Sequence, residues 1–117
     1  MAEDDPDIQL VARLALKKAG FRVEVVDNGR ILLERVRVER PDLVLLDWMM
    51  PEMNGPETCA QLKANNETRD IPIIFMTSKT QSTAGERGVE GAAGYIVKPF
   101  NPQSLGDEIR RILEIRP

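Results

Sequence analysis

Carboxylate side chains stand at points of the chain where short apolar stretches end. Asp47 directly follows the apolar run of residues 43–46 and precedes a loop that contains Pro51 and Gly55. A short, wholly apolar run bounded by turn residues is typical of a strand that is buried on both faces. Because open parallel α/β sheets hold their sites at the carboxyl ends of the strands, we predict that Asp47 lies at such a site.

A second acidic group, Glu3-Asp4-Asp5, opens the chain. If Glu3 and Asp4 meet Asp47 at neighbouring strand ends, the like charges raise one another's pKa unless a cation neutralises them. Mg²⁺ is the expected cation, because it takes oxygen ligands and is commonly held by carboxylates plus a phosphate. Taken alone, each acidic feature also has an ordinary interpretation, as a solvated N-terminus or as an aspartate that caps a helix.

The composition excludes several classes of protein. The chain has 117 residues, a formal net charge of −3, one cysteine and no histidine. This length fits one domain, and the charge gives no reason to expect nucleic acid or an anionic membrane as a partner. The lack of histidine excludes His-based triads and most catalytic zinc sites. The lone cysteine and the lack of a signal peptide or long apolar run predict a cytoplasmic protein.

Turn residues divide the chain into alternating helical and extended segments. Spacing and capping residues predict helices over residues 6–20, 30–39 and about 58–64, a weak glycine-rich helix within residues 85–94, and a final helix after Asn101-Pro102. Apolar or β-rich runs predict strands over residues 21–26, 43–46, 71–76 and 95–97. This alternation predicts a parallel sheet with helices on both sides.

With these features the chain resembles the receiver domain of two-component response regulators, including its single-domain, chemotaxis-regulator-like members. The resemblance covers nearly the whole chain, so residues 1–117 are interpreted as one receiver domain. It rests on Glu3-Asp4-Asp5-Pro6, on Asp47 with Met50-Pro51 and Gly55, on Thr77 at a strand end, and on Tyr95 with Lys98-Pro99-Phe100. The resemblance implies an α/β, flavodoxin-like, doubly wound parallel sheet with the strand order 2-1-3-4-5.

The resemblance also implies an activity. Asp47 would be the phosphoacceptor, which takes a phosphoryl group from a sensor histidine kinase or a phosphotransfer protein. Mg²⁺ would be held by Asp47, by Asp4, by Glu3 through water and by the backbone carbonyl of Met49. Phosphoryl transfer requires mainly positioning and charge stabilisation, which such a site supplies.

Three residues on the later strands complete the implied site. Lys98 would bring positive charge to the phosphoryl oxygens, and Thr77 would donate a hydrogen bond to one of them. Tyr95 would turn inward when Thr77 moves, and the Lys98-Pro99 bond would be cis. A downstream protein would bind the face formed by residues 84–117, and chemistry would be limited to self-catalysed phosphoryl transfer and autodephosphorylation. Alternatively, Lys98-Pro99 shapes a loop, Thr77 caps a helix and Tyr95 packs in the core.

The chain departs from the family pattern at its first strand. Only Met1 and Ala2 precede Glu3, so this strand is expected to be missing or reduced to a stub, which leaves four strands. We expect a truncated or mis-started chain, whose gap is filled by a segment of a second copy in a homodimer or is closed by rearrangement of the neighbouring strands. The Mg²⁺ site should be weakened, because Glu3 and Asp4 lose the strand that positions them.

Other functions are alternatives. Phosphatases of the haloacid dehalogenase type also use an aspartate at a strand end. They require a second acidic residue two positions later, where this chain has Met49. No Gly-x-x-x-x-Gly-Lys-Ser/Thr run supports a phosphate-binding NTPase, and no phosphate loop supports a flavin-binding module. The main alternative is a degenerate receiver, which binds a partner or itself without being phosphorylated.

Overall fold

The computed structural model describes residues 1–50, 52–78 and 91–114. Within these ranges the chain forms four helices and three strands. The helices are α1 (Pro6–Lys18), α2 (Gly29–Val38), α3 (Gly55–Ala64) and α4 (Leu105–Glu114), and the strands are β1 (Val44–Asp47), β2 (Ile73–Ser78) and β3 (Gly94–Lys98). None of these helices is long and apolar enough to cross a membrane.

The strands form a parallel sheet in the order β1-β2-β3. Asp47 is in register with Met76 on β2, and Thr77 is in register with Val97 on β3. Because Asp47, Thr77 and Lys98 each lie at or next to the end of a strand, parallel pairing brings them to one edge of the sheet. All four residues of β1 are buried: the apolar residues 44–46, as their sequence predicts, and Asp47 at the end of the strand.

Residues 1–3, here called the N-terminal stub, lie beside β1. Ala2 forms parallel bridges with both Val26 and Leu46. Its amide donates to the Leu45 carbonyl at 2.9 Å, and its carbonyl accepts from the Asp47 amide at 3.0 Å. The expected order, with a first strand reduced to a stub, is therefore confirmed. The alternative in which the neighbouring strands close the gap is wrong, because the stub separates them.

The predicted strand over residues 21–26 is wrong in extent. Of these residues, only Val26 has a bridge, and it pairs with Ala2. A strand needs backbone hydrogen-bond partners along its whole length. The stub has only three residues, and its bridge to this segment is the one between Ala2 and Val26. The described sheet consequently has three strands rather than the expected four.

Apolar side chains cover both faces of the sheet. Leu32 of α2 and Leu62 of α3 share one buried cluster with Phe75 of β2. Leu16 of α1 and Ile109 of α4 belong to a second cluster on the other face. This two-sided burial explains why the strands have continuous rather than alternating apolar sequences.

Helix α3 begins at Gly55, earlier than the predicted start near residue 58. Asn54 and Glu57 form a reciprocal capping box, in which each side chain accepts from the backbone amide of the other residue. This box satisfies amides of the first turn and so allows the helix to begin directly after the loop.

Helix α4 begins at Leu105, later than the residues 101–102 that were expected to cap it. The Asn101 side chain instead accepts from the Gln103 amide at 2.9 Å, which stabilises a turn ahead of the helix. The prediction of a weak helix within residues 85–94 falls mostly outside the described residues, while Gly94 begins β3.

Candidate functional site

Three carboxylates converge at the edge of the sheet where the strands end. One carboxylate oxygen from each of Glu3, Asp4 and Asp47 lies within 4.8 Å of the others. Glu3 and Asp47 are buried, whereas Asp4 is exposed. The backbone bonds of Ala2 to β1 position this cluster, because they align the stub beside Asp47. The predicted convergence of the acidic residues is therefore present despite the shortened strand.

Lys98 connects the two buried carboxylates. Its Nζ atom donates to Asp47 Oδ1 at 2.8 Å and to Glu3 Oε1 at 3.3 Å. The Lys98 side chain is 18% exposed, so water screens these contacts only weakly. The peptide bond between Lys98 and Pro99 is cis, as the family resemblance implies.

Burial has the largest effect on the pKa values of Glu3, Asp47 and Lys98. Burial raises the pKa of Glu3 to about 7, and the charge of Asp47 adds to this, whereas the Asp5 amide and Lys98 oppose it. Burial likewise raises the pKa of Asp47, against the hydrogen bond and charge of Lys98. Burial lowers the pKa of Lys98, but the two carboxylates together outweigh this effect, so the Lys98 pKa is raised overall. A divalent cation would favour the ionised carboxylates.

The predicted switch residues lie on the two strands beyond β1. Thr77 is buried on β2, one residue past the level of Asp47. Tyr95 is half-buried on β3, and its ring stacks on Phe75 with centroids 5.8 Å apart. Phe75 also makes an edge contact with Trp48, at 5.2 Å between centroids. The three rings form a continuous row from the residue after Asp47 to β3.

Comparison with known proteins covers most of the chain. The sequence model of the response regulator receiver domain matches residues 1–110. The chain belongs to the response regulator receiver domain family. Its acidic cluster, Lys98 and Thr77 lie at the strand ends where the sequence motifs predict them.

The curated relatives of this receiver domain are longer proteins. The DNA-binding response regulator MtrA of Mycolicibacterium smegmatis is 39% identical over 111 residues, which cover 94% of this chain and 47% of MtrA. The phosphate regulon transcriptional regulatory protein PhoB of Rhizobium meliloti is 33% identical over 114 residues, which cover 97% of this chain and 50% of PhoB. The receiver domain therefore spans about half the length of these relatives.

Solved structures show the same fold. The chemotaxis response regulator CheY4 of Vibrio cholerae has a TM-score of 0.85 and 29% identity, with coverage of 95% of this chain and 93% of CheY4. The signal receiver domain of a histidine kinase from Syntrophus aciditrophicus has a TM-score of 0.84 and 32% identity, with coverage of 97% of this chain and 86% of that one. Receiver domains thus occur in regulators and in kinases.

The loop after Asp47 in this receiver domain is tied to helix α2. Glu52 has a φ of 66°, and its carboxylate accepts from Arg30 Nε at 2.9 Å and from Asn28 Nδ2 at 3.5 Å. The Met49 side chain in the same loop is 62% exposed, and the role of its backbone carbonyl as a ligand stays a prediction. Sequence reasoning missed Glu52, because left-handed backbone at a residue other than glycine has no clear sequence signal.

Gly55 allows the loop to return close to β1. A Cβ atom at this position would lie 2.5 Å from the Asp47 carbonyl oxygen and 2.9 Å from the Phe75 ring. The Gly55 amide donates to the Trp48 carbonyl at 3.0 Å, which holds this close approach. Glycine is the residue that fits here without displacing Asp47.

Gln9 is a further residue that the sequence analysis did not single out. Its Nε2 atom donates to the Glu3 carbonyl and to Asp27 Oδ1, the latter at 3.0 Å. Gln9 thereby links α1 to both the stub and the loop that precedes α2. A polar residue in a surface helix gives no sequence signal for such a contact.

Proposed function

We propose that Asp47 accepts a phosphoryl group from a sensor histidine kinase or a phosphotransfer protein and that this group switches a protein-binding surface. The observation that carries the proposal is the 2.8 Å contact between Lys98 Nζ and Asp47 Oδ1, within a cluster of three carboxylates. Membership of the receiver family supports the class of phosphoryl donor.

Asp47 supplies the nucleophile in this proposal. One of its carboxylate oxygens attacks phosphorus, and the bond from phosphorus to the nitrogen of a phosphohistidine breaks, so that the nitrogen keeps the electron pair. Lys98 then lies close enough to neutralise the charge that the phosphoryl oxygens bring. This stabilisation is strong because the lysine is held in place and mostly shielded from water. The Thr77 hydroxyl would donate a hydrogen bond to one phosphoryl oxygen.

The donor chemistry of the acidic cluster fits Mg²⁺. Glu3, Asp4 and Asp47 offer hard oxygen atoms within 4.8 Å of one another, and we propose that the Met49 carbonyl completes the set. When bound, Mg²⁺ would neutralise the carboxylates and stabilise charge on the transferred group. Glu3, which accepts from the Asp5 amide at 3.0 Å, is oriented toward this role by its own chain neighbour.

The output in this proposal is a change of surface. A phosphate on Asp47 would draw Thr77 toward it and allow Tyr95 to turn inward, which biases a two-state equilibrium. A downstream protein would bind the face over residues 84–117, part of which lies outside the described residues. We further propose that the domain acts in the cytoplasm, has no separate enzymatic activity and contacts neither nucleic acid nor membrane; its net charge of −3 supports the last point.

Intact mass spectrometry after incubation with acetyl phosphate and Mg²⁺ tests the proposal. We expect one phosphoryl adduct, which is lost in Asp47→Asn and retained in Asp42→Asn, a matched change at an exposed aspartate. Trp48 is the one tryptophan in the chain, and its fluorescence should follow Mg²⁺ in a parallel titration. A chain that binds Mg²⁺ but forms no adduct would favour a degenerate receiver instead.

A further inference from the structure

Glu52 has an unusual backbone conformation for its residue type. Its φ is 66°, and within the part of the chain that the structure describes it is the one residue other than glycine with a positive φ. This left-handed conformation is unfavourable for a residue with a Cβ atom, so surrounding contacts must compensate for it. Glu52 lies between Asp47, which ends β1, and Gly55, which begins α3. The connection between these two elements is here called the β1–α3 loop.

Two side chains from the start of α2 hold the Glu52 carboxylate. Its Oε2 atom accepts from Arg30 Nε at 2.9 Å and from Asn28 Nδ2 at 3.5 Å. Asn28 is also the N-cap of α2, because its Oδ1 atom accepts from the Ile31 amide at 3.0 Å. Arg30 makes a further contact with Glu34 one turn later, at 3.3 Å. Helix α2 therefore orients both groups that bind the carboxylate.

The backbone of the same loop also lies against α2. Gly29 is buried, and a Cβ atom there would lie 3.0 Å from the Met53 carbonyl oxygen and would overlap Thr58 Oγ1. The Thr58 hydroxyl is itself fixed, because it donates to the carbonyl of the α3 cap residue at 2.8 Å. Glycine thus allows α2 to approach the residue that follows Glu52. Residues 28–30, here called the α2 cradle, contact two successive residues of the loop.

One backbone hydrogen bond joins the two ends of the loop. The Gly55 amide donates to the Trp48 carbonyl at 3.0 Å. Met49 directly follows Trp48 and so lies inside the turn that this bond closes. An extended conformation at Glu52 would change the direction of the backbone between these two ends. The left-handed conformation of Glu52 and the closing bond therefore depend on each other.

We propose that Glu52 is a positioning residue, which the α2 cradle holds in the left-handed conformation that closes the β1–α3 loop. Its consequence for the site rests on the proposed function, because a closed loop fixes the Met49 carbonyl, a proposed Mg²⁺ ligand, relative to Asp47. The side chains of Arg30 and Glu52 are 57% and 53% exposed, so water screens their contact. The effects of its removal are consequently severalfold rather than many orders of magnitude.

Amide hydrogen exchange of the metal-free domain in EDTA tests the positioning role. Glu52→Met keeps an unbranched side chain and removes the acceptor. We expect the Gly55 amide to exchange about two- to fivefold faster than in wild type, the range for loss of an exposed ion pair. The Trp48 amide, which donates to the Met76 carbonyl of β2, reports general opening and should change less. No change at Gly55, or an equal change at both amides, would overturn the inference.

A second substitution and a matched control identify the contact that matters. Arg30→Met should also speed exchange at Gly55, and the double variant should exchange no faster than Glu52→Met, because both substitutions remove one interaction. Arg35→Met removes a different ion pair of α2, with Glu24 at 2.6 Å, and should leave exchange at Gly55 unchanged. Additive effects of the two cradle substitutions, or an equal effect of Arg35→Met, would overturn the role of the pair.

A Mg²⁺ titration followed by Trp48 fluorescence separates this inference from the proposed function. We expect the dissociation constant for Mg²⁺ to be about two- to fivefold larger in Glu52→Met and unchanged in Arg35→Met. An unchanged constant beside faster exchange at Gly55 would overturn the link to the metal site. A wild-type domain without any response to Mg²⁺ would instead contradict the metal site of the proposed function, and exchange in EDTA would still decide whether Glu52 holds the loop.

Discussion

Lys98 Nζ lies 2.8 Å from Asp47 Oδ1, although 51 residues separate the two in the chain. The contact follows from topology, because β1 and β3 flank β2 in one parallel sheet and both residues end their strands. Lys98 also bonds Glu3, so a single cation serves two buried carboxylates. Removal of one partner from a buried charge pair is strongly unfavourable, so Lys98 stabilises the arrangement of Glu3 and Asp47.

Replacement of Lys98 by methionine should lower the rate at which the domain accepts phosphate from acetyl phosphate by about 10²-fold or more, as expected for loss of one charge-stabilising donor. The rate can be followed by intact mass in the presence of Mg²⁺. Lys17→Met, at an exposed position near the end of α1, serves as the control and should react like wild type. Equal rates in Lys98→Met and wild type would show that the lysine is structural only.

Glu3 should make the metal-free domain less stable as the pH rises. Burial raises its pKa from 4.5 to about 7 in the folded chain. Between these values the folded domain binds more protons than the unfolded chain, so the free energy of unfolding falls as the pH increases. Glu3→Gln should remove this contribution. The difference in the free energy of unfolding between variant and wild type should therefore change between about pH 4.5 and pH 7.

Urea unfolding in EDTA at several pH values measures this effect. The Met1 ammonium has the opposite influence, because its pKa is lowered from 8.0 to about 6 and stability rises with pH between these values. Both proteins share this group, so it cancels in the difference. A pH-independent gap for Glu3→Gln would contradict the prediction.

Gly55→Ala should destabilise the domain by about 1–3 kcal/mol, the usual range for an overpacked site. The added Cβ would lie 2.5 Å from the Asp47 carbonyl oxygen, so β1 or the loop must move. Affinity for Mg²⁺, read from Trp48 fluorescence, should fall as well. Ala60→Gly in the same helix is the control, and it should lower stability by about 1 kcal/mol without changing Mg²⁺ affinity.

The 117-residue chain should self-associate as its concentration rises, because a groove of about 980 Å³ between residues 20–24 and residues 41–45 exposes apolar walls. Size-exclusion chromatography with light scattering would detect the increase in mass. A stable monomer at every concentration would rule out this association.

Sequence reasoning located the site because its signals are local. An aspartate after an unbroken apolar run predicts the buried end of a parallel strand, and Asp47 lies there. The same reasoning placed Thr77 and Lys98 at the ends of β2 and β3, so the shared edge followed from parallel topology alone. Asp5 and Gly20 likewise mark the two ends of α1 as predicted.

The features that escaped prediction depend on distant partners. Residues 21–26 have the sequence of a strand, but whether they form one depends on how much of a neighbouring strand is present to bond them. Gln9 and Glu52 act through side chains that reach other elements, at Asp27 and Arg30. Their residue types are common on protein surfaces, and only the tertiary fold gives them a role.

Ala2 and Glu3 are consecutive, and this adjacency would couple local opening of the stub to the binding of a cation at the acidic cluster. Ala2 holds the bridges on both sides of the stub, and Glu3 contributes a carboxylate to the acidic cluster. Local opening of the stub would withdraw Glu3 from Asp47, so a cation bound between them would oppose that opening, and the more so the further its concentration exceeds its dissociation constant. The Val26 amide, which donates to the Met1 carbonyl rather than to a carboxylate of the cluster, should then exchange more slowly with solvent when the metal binds.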